Sequence, residues 1–142
     1  MFTATWLMLA LAAPAEWPEP VQKELKALEG EWVVVAIAHE GKERELTDDE
    51  QVVITITSGK FTHPTLGSGQ VTALDPTTDP KIVDFKMLRQ PESGFINEAI
   101  YKLEQDTLTV VMYLGDDKRR PASFAVPTDN QTLRFTLKRR KP

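Results

Sequence analysis

Two histidines, His39 and His63, are the only side chains in this 142-residue chain whose ordinary chemistry shuttles protons near neutral pH. Acid–base work or a metal centre would need carboxylates or further imidazoles converging on them. Glu40 and Glu43 lie near His39 in sequence, but no third partner stands at a metal-ligand spacing. His39 falls at a strand end before a turn, and His63 precedes Pro64 in what reads as an edge segment, so both are expected to be exposed bystanders. Asp48-Asp49-Glu50, Asp75 with Asp79, and Asp116-Asp117 lack the alternating oxygen donors and glycine of a calcium loop, and aspartate suits turns and caps. Gly67-Ser68-Gly69 has no Gly-Lys-Ser/Thr after it and opens no helix, so it is no phosphate cradle. Ser58, Ser68, Ser93 and Ser123 fall in turns or loops outside any G-x-S-x-G pattern. Cysteine is absent, which removes thiolate metal sites, a cysteine nucleophile, a disulfide framework and a lipoprotein anchor. The expectation is a protein with no catalytic residues, no metal and no cofactor.

What remains to be positioned is a binding surface or cavity, and the chain is long enough for one domain only. A net charge of −4 is the wrong sign for a general nucleic-acid binder. Residues 1–15 carry no ionised side chain, and the apolar run 4–13 is too short to span a bilayer. Ala13-Pro14-Ala15, or Ala10-Leu11-Ala12, has the small-x-small pattern of a signal-peptide cleavage site, although no Lys or Arg precedes the run. The expected organisation is a signal peptide at 1–15, a linker at 16–22 and one domain at 23–141, placed outside the cytoplasm after cleavage near Ala15. The alternative for 1–15 is an apolar first element of the domain itself.

Val21, Leu25 and Leu28 recur at helical spacing, with Pro20 at the start and Gly30 just past the end, which predicts a short amphipathic helix. Eight short runs rich in Val, Ile, Thr and aromatics follow, at 32–39, 52–57, 60–65, 70–74, 82–88, 96–103, 108–114 and 132–139. Val52/Ile54/Ile56, Val83/Phe85/Met87 and Leu133/Phe135/Leu137 alternate with polar residues, the period of antiparallel strands packed on one face. No helical segment separates the runs, which excludes βαβ architecture. The fold class is all-β, an eight-stranded up-and-down barrel or a sandwich, the barrel having the advantage of no unpaired edges. Thr47-Asp48-Asp49-Glu50 is a capping-box sequence for a single helical turn over a barrel end. The interval 116–130 is expected to lid or brace one opening.

The helix followed by Leu28-Glu29-Gly30-Glu31-Trp32 resembles the lipocalin superfamily, in which a short helix leads through G-x-W into the first barrel strand. More closely, the chain is similar to an uncharacterised lipocalin-like domain family found mainly in planctomycete bacteria. The shared landmarks are Glu24-Leu25-Lys26-x-Leu28-x-Gly30-x-Trp32, Asp75-Pro76-Thr77 with Pro80-Lys81 and Asp84, Ile100-Tyr101-x-Leu103 with Asp106-Thr107-Leu108, Arg120-Pro121-x-x-Phe124, and Leu137-Lys138-Arg139. The resemblance implies an eight-stranded antiparallel up-and-down barrel that binds small apolar molecules. It also implies that the entry Trp stacks under an Arg of the last strand. Strand parity selects Arg139 for this role, so Gly30, Trp32 and Arg139 are the expected barrel closure.

Alternation assigns Trp32, Val34, Ala36, Ile54, Phe85, Met87, Tyr101, Met112 and Phe135 to the interior as candidate pocket residues. Val52, Ile56, Val83, Ala99, Leu103, Val110 and Leu133 share that face. Small residues such as Ala36 leave space, whereas Trp32, Phe85, Tyr101 and Phe135 together have the bulk to fill an eight-stranded barrel. Val33, Val35 and Ile37 would then face outward as an apolar stripe needing cover from the helix or from another molecule. Lys118-Arg119-Arg120 and Lys138-Arg139-Arg140-Lys141 offer basic patches to an anionic surface or merely solvate the strand ends. The leading expectation is a monomeric module that binds a small apolar ligand. The alternative is a filled barrel that engages envelope proteins or an anionic surface.

Overall fold

Pro18 marks the entry to the helix that precedes the sheet. Helix α1 (Glu19–Ala27) carries Pro20 in its first turn, where the missing N–H has no helical partner to lose. Glu19 at its start and Lys26 at its end complement the helix dipole. Val21 and Leu25, with Leu28 just beyond the end, are all buried. The helix begins within the stretch expected to be a linker, and Trp17 already packs against the core. The computed structural model describes residues 17–65, 67–88, 96–115, 117 and 119–141. The expected signal segment 1–15 lies outside them. Among the described residues no helix is long and apolar enough to cross a membrane.

Among the described residues nine strands follow: β1 (Gly30–His39), β2 (Lys42–Glu45), β3 (Val53–Thr57), β4 (Lys60–His63), β5 (Gly67–Asp75), β6 (Lys81–Met87), β7 (Asn97–Glu104), β8 (Thr107–Tyr113) and β9 (Thr132–Arg139). β1 and β3 to β9 form a closed antiparallel barrel, each strand paired to the next and β9 paired back to β1. Sequence patterning accounts for these eight. It misses β2, whose Lys42-Glu43-Arg44-Glu45 has no apolar alternation and is fully exposed. A two-residue turn with positive φ at Glu40 (53°) and Gly41 (79°) folds β2 back on β1. β2 runs beside Ala36 to His39, while β3 takes Gly30 to Val33 on the same edge. One stave of the barrel is thus made of two pieces.

A β-bulge at Val35 changes what β1 presents. Val34 pairs with Leu137, but Ala36 pairs with Thr136 and Ile37 with Phe135. The extra residue reverses the alternation, so Ile37 turns into the barrel and Ala36 and Ala38 turn out. This corrects two expectations: Ala36 is not an interior residue, and the outward stripe of Val33, Val35 and Ile37 does not exist as such. A second bulge at Thr72 lets Val71 and Leu74 both face inward across β5.

The described residues of the interval after β8 brace the outer wall of the barrel rather than an opening. Arg120 donates to the Ala99 carbonyl (2.8 Å) and pairs with Asp84 (2.8 Å) and Glu98 (3.4 Å). Lys102 lies 4.8 Å over the Phe124 ring, Arg134 donates to the Phe124 carbonyl (2.7 Å), and Gly41 N–H donates to the Pro127 carbonyl (2.6 Å). These anchors surround Ile100 and Val111, outward-facing residues that are each only 1% exposed. They form a thin second apolar layer, distinct from the barrel interior.

Candidate functional site

One end of the barrel is sealed by α1. The last carbonyls of a helix have no internal partner, and here β1 and β9 supply them. Arg139 Nη2 donates to Ala27 O (2.9 Å), Arg139 Nη1 to Glu29 O (2.7 Å), and Trp32 Nε1 to Leu28 O (2.9 Å). The Arg139 guanidinium lies 4.3 Å from the centroid of the Trp32 ring, and its Nε is 3.3 Å from Asp106. Gly30, at φ 132°, leaves room for this arrangement, because a Cβ there would stand 2.9 Å from Arg139 Nη1. Beside the seal, Tyr101 Oη (3.1 Å) and Lys81 Nζ (2.9 Å) both donate to Glu24 Oε1. Burial, then the charge of Glu24, pushes the Tyr101 phenol well above its ordinary pKa, so it stays a neutral hydroxyl.

Above this floor lies a cavity of about 390 Å³, within the size range of small-molecule sites. Val34, Ile54 and Phe85 form part of its wall, as do Met87, Met112 and Phe135. Tyr101 lines it at the sealed end. Trp32 is wholly buried below and belongs to the floor. Ala36 is outside, for the reason given by the bulge. The large aromatics leave the interior open because they lie along the wall. Phe61 and Phe85 meet edge to face, with centroids 5.3 Å apart. The Phe61 ring covers Gly69, where a Cβ would sit 2.1 Å from Phe61 Cζ.

Sequence reasoning missed Phe61, Ile37 and the helix residues Leu25 and Leu28 as lining groups. Phe61 was recoverable from its alternation with Lys60 and Thr62. Ile37 was not, because nothing in Val33-Val34-Val35 marks the bulge.

At the end opposite α1 the lining becomes polar, with Arg44, Glu50 and His63. The Arg44 and Glu50 side chains are 62% and 41% exposed, so the cavity meets solvent here. Glu50 Oε2 accepts from Arg44 Nη1 (2.7 Å), while its Oε1 accepts from Thr47 N (3.0 Å) and Thr47 Oγ1 (3.1 Å). This is one half of the capping box expected at Thr47, the Glu50 carboxylate reaching back to Thr47 N–H while the Thr47 hydroxyl donates to that same carboxylate, and Gln51 N–H closes a single turn on Thr47 O (3.1 Å). The Thr47 backbone hydrogen bond, then Arg44, holds the Glu50 carboxyl below its ordinary pKa.

His63 is less exposed than expected from sequence. β4 is paired on both sides, which leaves His63 half-buried at the mouth, its Nδ1 accepting from Thr65 N–H (3.1 Å). Burial lowers its pKa. His39 sits elsewhere, 3.4 Å from Glu40. An ionised, multiply bonded carboxylate and a neutral imidazole make the mouth a polar rim. Among the described residues, no three His, Cys, Asp or Glu side chains are grouped to hold a metal ion.

The basic tail is dispersed by the fold. Arg139 turns to the floor, and Arg140 lies 3.6 Å from Glu31. Of the other cluster, Arg119 pairs with Asp117 (3.4 Å) and Arg120 with the barrel wall. No family model, curated protein or solved structure matches this chain.

Proposed function

We propose that this protein is a non-catalytic, exported, monomeric lipocalin-like carrier that holds a small apolar molecule inside its barrel. The observation that carries the reading is the cavity of about 390 Å³, walled by apolar side chains and reached through one polar mouth. A solid barrel would have sufficed for stability, and open apolar volume costs contacts that packing would otherwise supply. The helix-capped floor supports the same reading, because it seals one end and leaves access at the other. Export is supported by the composition of residues 1–15 and by the small-x-small pattern at Ala13-Pro14-Ala15.

Native mass spectrometry of protein purified gently from its own host tests both parts. The expected result is a monomer beginning at Glu16 that carries an adduct of a few hundred daltons, removed by organic extraction. Val34→Phe, which places a ring in the cavity, should abolish the adduct while the protein stays folded. A bare monomer that also fails to take up an uncharged apolar dye would end the carrier reading. A mass retaining Met1–Ala15 would end the export reading alone.

A further inference from the structure

The polarity of the ligand follows from how the cations around the cavity are already used. A carboxylate drawn into an apolar cavity must find a cation or several donors, or its desolvation opposes binding. Arg44 is paired with Glu50 at 2.7 Å, and Lys81 with Glu24 at 2.9 Å. Arg139 lies under the floor, committed to two carbonyls, Asp106 and the Trp32 face. His63 accepts at Nδ1 from Thr65 N–H, and burial lowers its pKa. Among the described residues, none of these groups offers an uncompensated positive charge to the cavity.

Tyr101 is the one hydroxyl among the described lining residues, and it stands at the sealed end. Its proton is directed to Glu24, which leaves the phenol oxygen as an acceptor and polarises it toward accepting more strongly. Glu24 and Asp75 add negative potential there, which Lys81, 2.9 Å from Glu24, offsets only in part. That end therefore favours a hydrogen-bond donor and disfavours an anion.

We propose that the cavity selects an uncharged amphipath, a hydrocarbon body ending in a hydroxyl that donates to Tyr101 Oη, and rejects the corresponding carboxylate. This rests on the carrier reading and goes beyond it by naming the ligand class and its orientation, polar end inward.

The test is displacement of the uncharged dye N-phenylnaphthylamine by three compounds of equal chain length: a straight-chain alcohol, its methyl ether and its carboxylate. The alcohol should displace the dye at about fivefold lower concentration than the ether. It should outcompete the carboxylate by about tenfold or more. In Tyr101→Phe the gap between alcohol and ether should close. A carboxylate that binds as well as the alcohol overturns the proposal, as does a gap that survives Tyr101→Phe. If that variant does not fold, the ranking of the three compounds on the unaltered protein decides alone. Dye binding with the wrong ranking leaves the carrier reading intact, whereas a bare monomer that binds no dye at all removes both.

Discussion

At the sealed end of the barrel, Arg139 reaches carbonyls of residues 112 and 110 positions away in the chain, and Tyr101 reaches a carboxylate 77 positions away. At the mouth, Arg44 meets Glu50 six positions on, Thr47 meets Glu50 three on, and His63 meets Thr65 two on. The first set exists only when helix, first strand and last strand are assembled, so it reports global folding. The second set forms within short segments and survives small displacements of those segments. The mouth is also tied by long-range bonds on the outer wall, Gly41 N–H to Pro127 O and Arg134 to Glu43, so it is the side chains facing the cavity there, and not the whole end, that are held locally.

The sharpest way to break this contrast is at the floor. Trp32→Ala removes a wholly buried ring, its hydrogen bond to Leu28 O and the surface under Arg139. A loss of about 3–5 kcal/mol in unfolding free energy is expected from denaturant titration. Arg139→Met keeps the stem and removes the two carbonyl bonds and the stacking charge, for a loss of about 2 kcal/mol by the same measurement. If either substitution costs no more than a change at the mouth, the two ends do not differ as argued.

Glu50→Gln weakens the tie to Arg44 and alters the turn, all in an exposed setting. It should leave the unfolding midpoint nearly unchanged and speed release of a bound dye in stopped-flow chase experiments. A large loss of stability would show that the mouth belongs to the cooperative core.

The smallest effect is in pH dependence. Burial depresses the His63 pKa below its ordinary 6.5, so the unfolded chain takes up the proton first as pH falls. Its contribution is complete above 6.5 and is lost as pH drops toward the folded value. Glu50, Asp75, Asp117 and Asp129 are likewise lowered by hydrogen bonds, and their contribution goes only below their ordinary values of 4.5 and 3.8. His63→Gln should remove the shallow decline between neutral and mildly acidic pH and leave the steeper acid limb. Thermal melts across that range measure both.

The alternation of Val52/Ile54/Ile56 or Val83/Phe85/Met87 is a local property, because successive side chains on a strand take opposite faces wherever the strand goes. Eight strands, an all-β class and most interior positions were therefore legible in the sequence. So were the helix, from Val21, Leu25 and Leu28, and the turn at Thr47, from its capping box. The pairing of Arg139 with Trp32 needed the resemblance to lipocalins as well as parity, since the two stand 107 positions apart in the chain.

Three decisions belonged to the assembled structure. The bulge at Val35, which exchanges Ala36 for Ile37 inside, is set by how β1 accommodates β9 on one edge and two short strands on the other. The exposed strand β2 has no apolar signal and exists through its ladder with β1. The cavity depends on where the aromatic rings lie, with Trp32 below, and Phe61 against Gly69 and Phe85 along the wall. Residue types fix the volume of side chain available to the interior. Whether that volume fills the barrel or lines it is decided by packing between residues far apart in the chain, which no local pattern records.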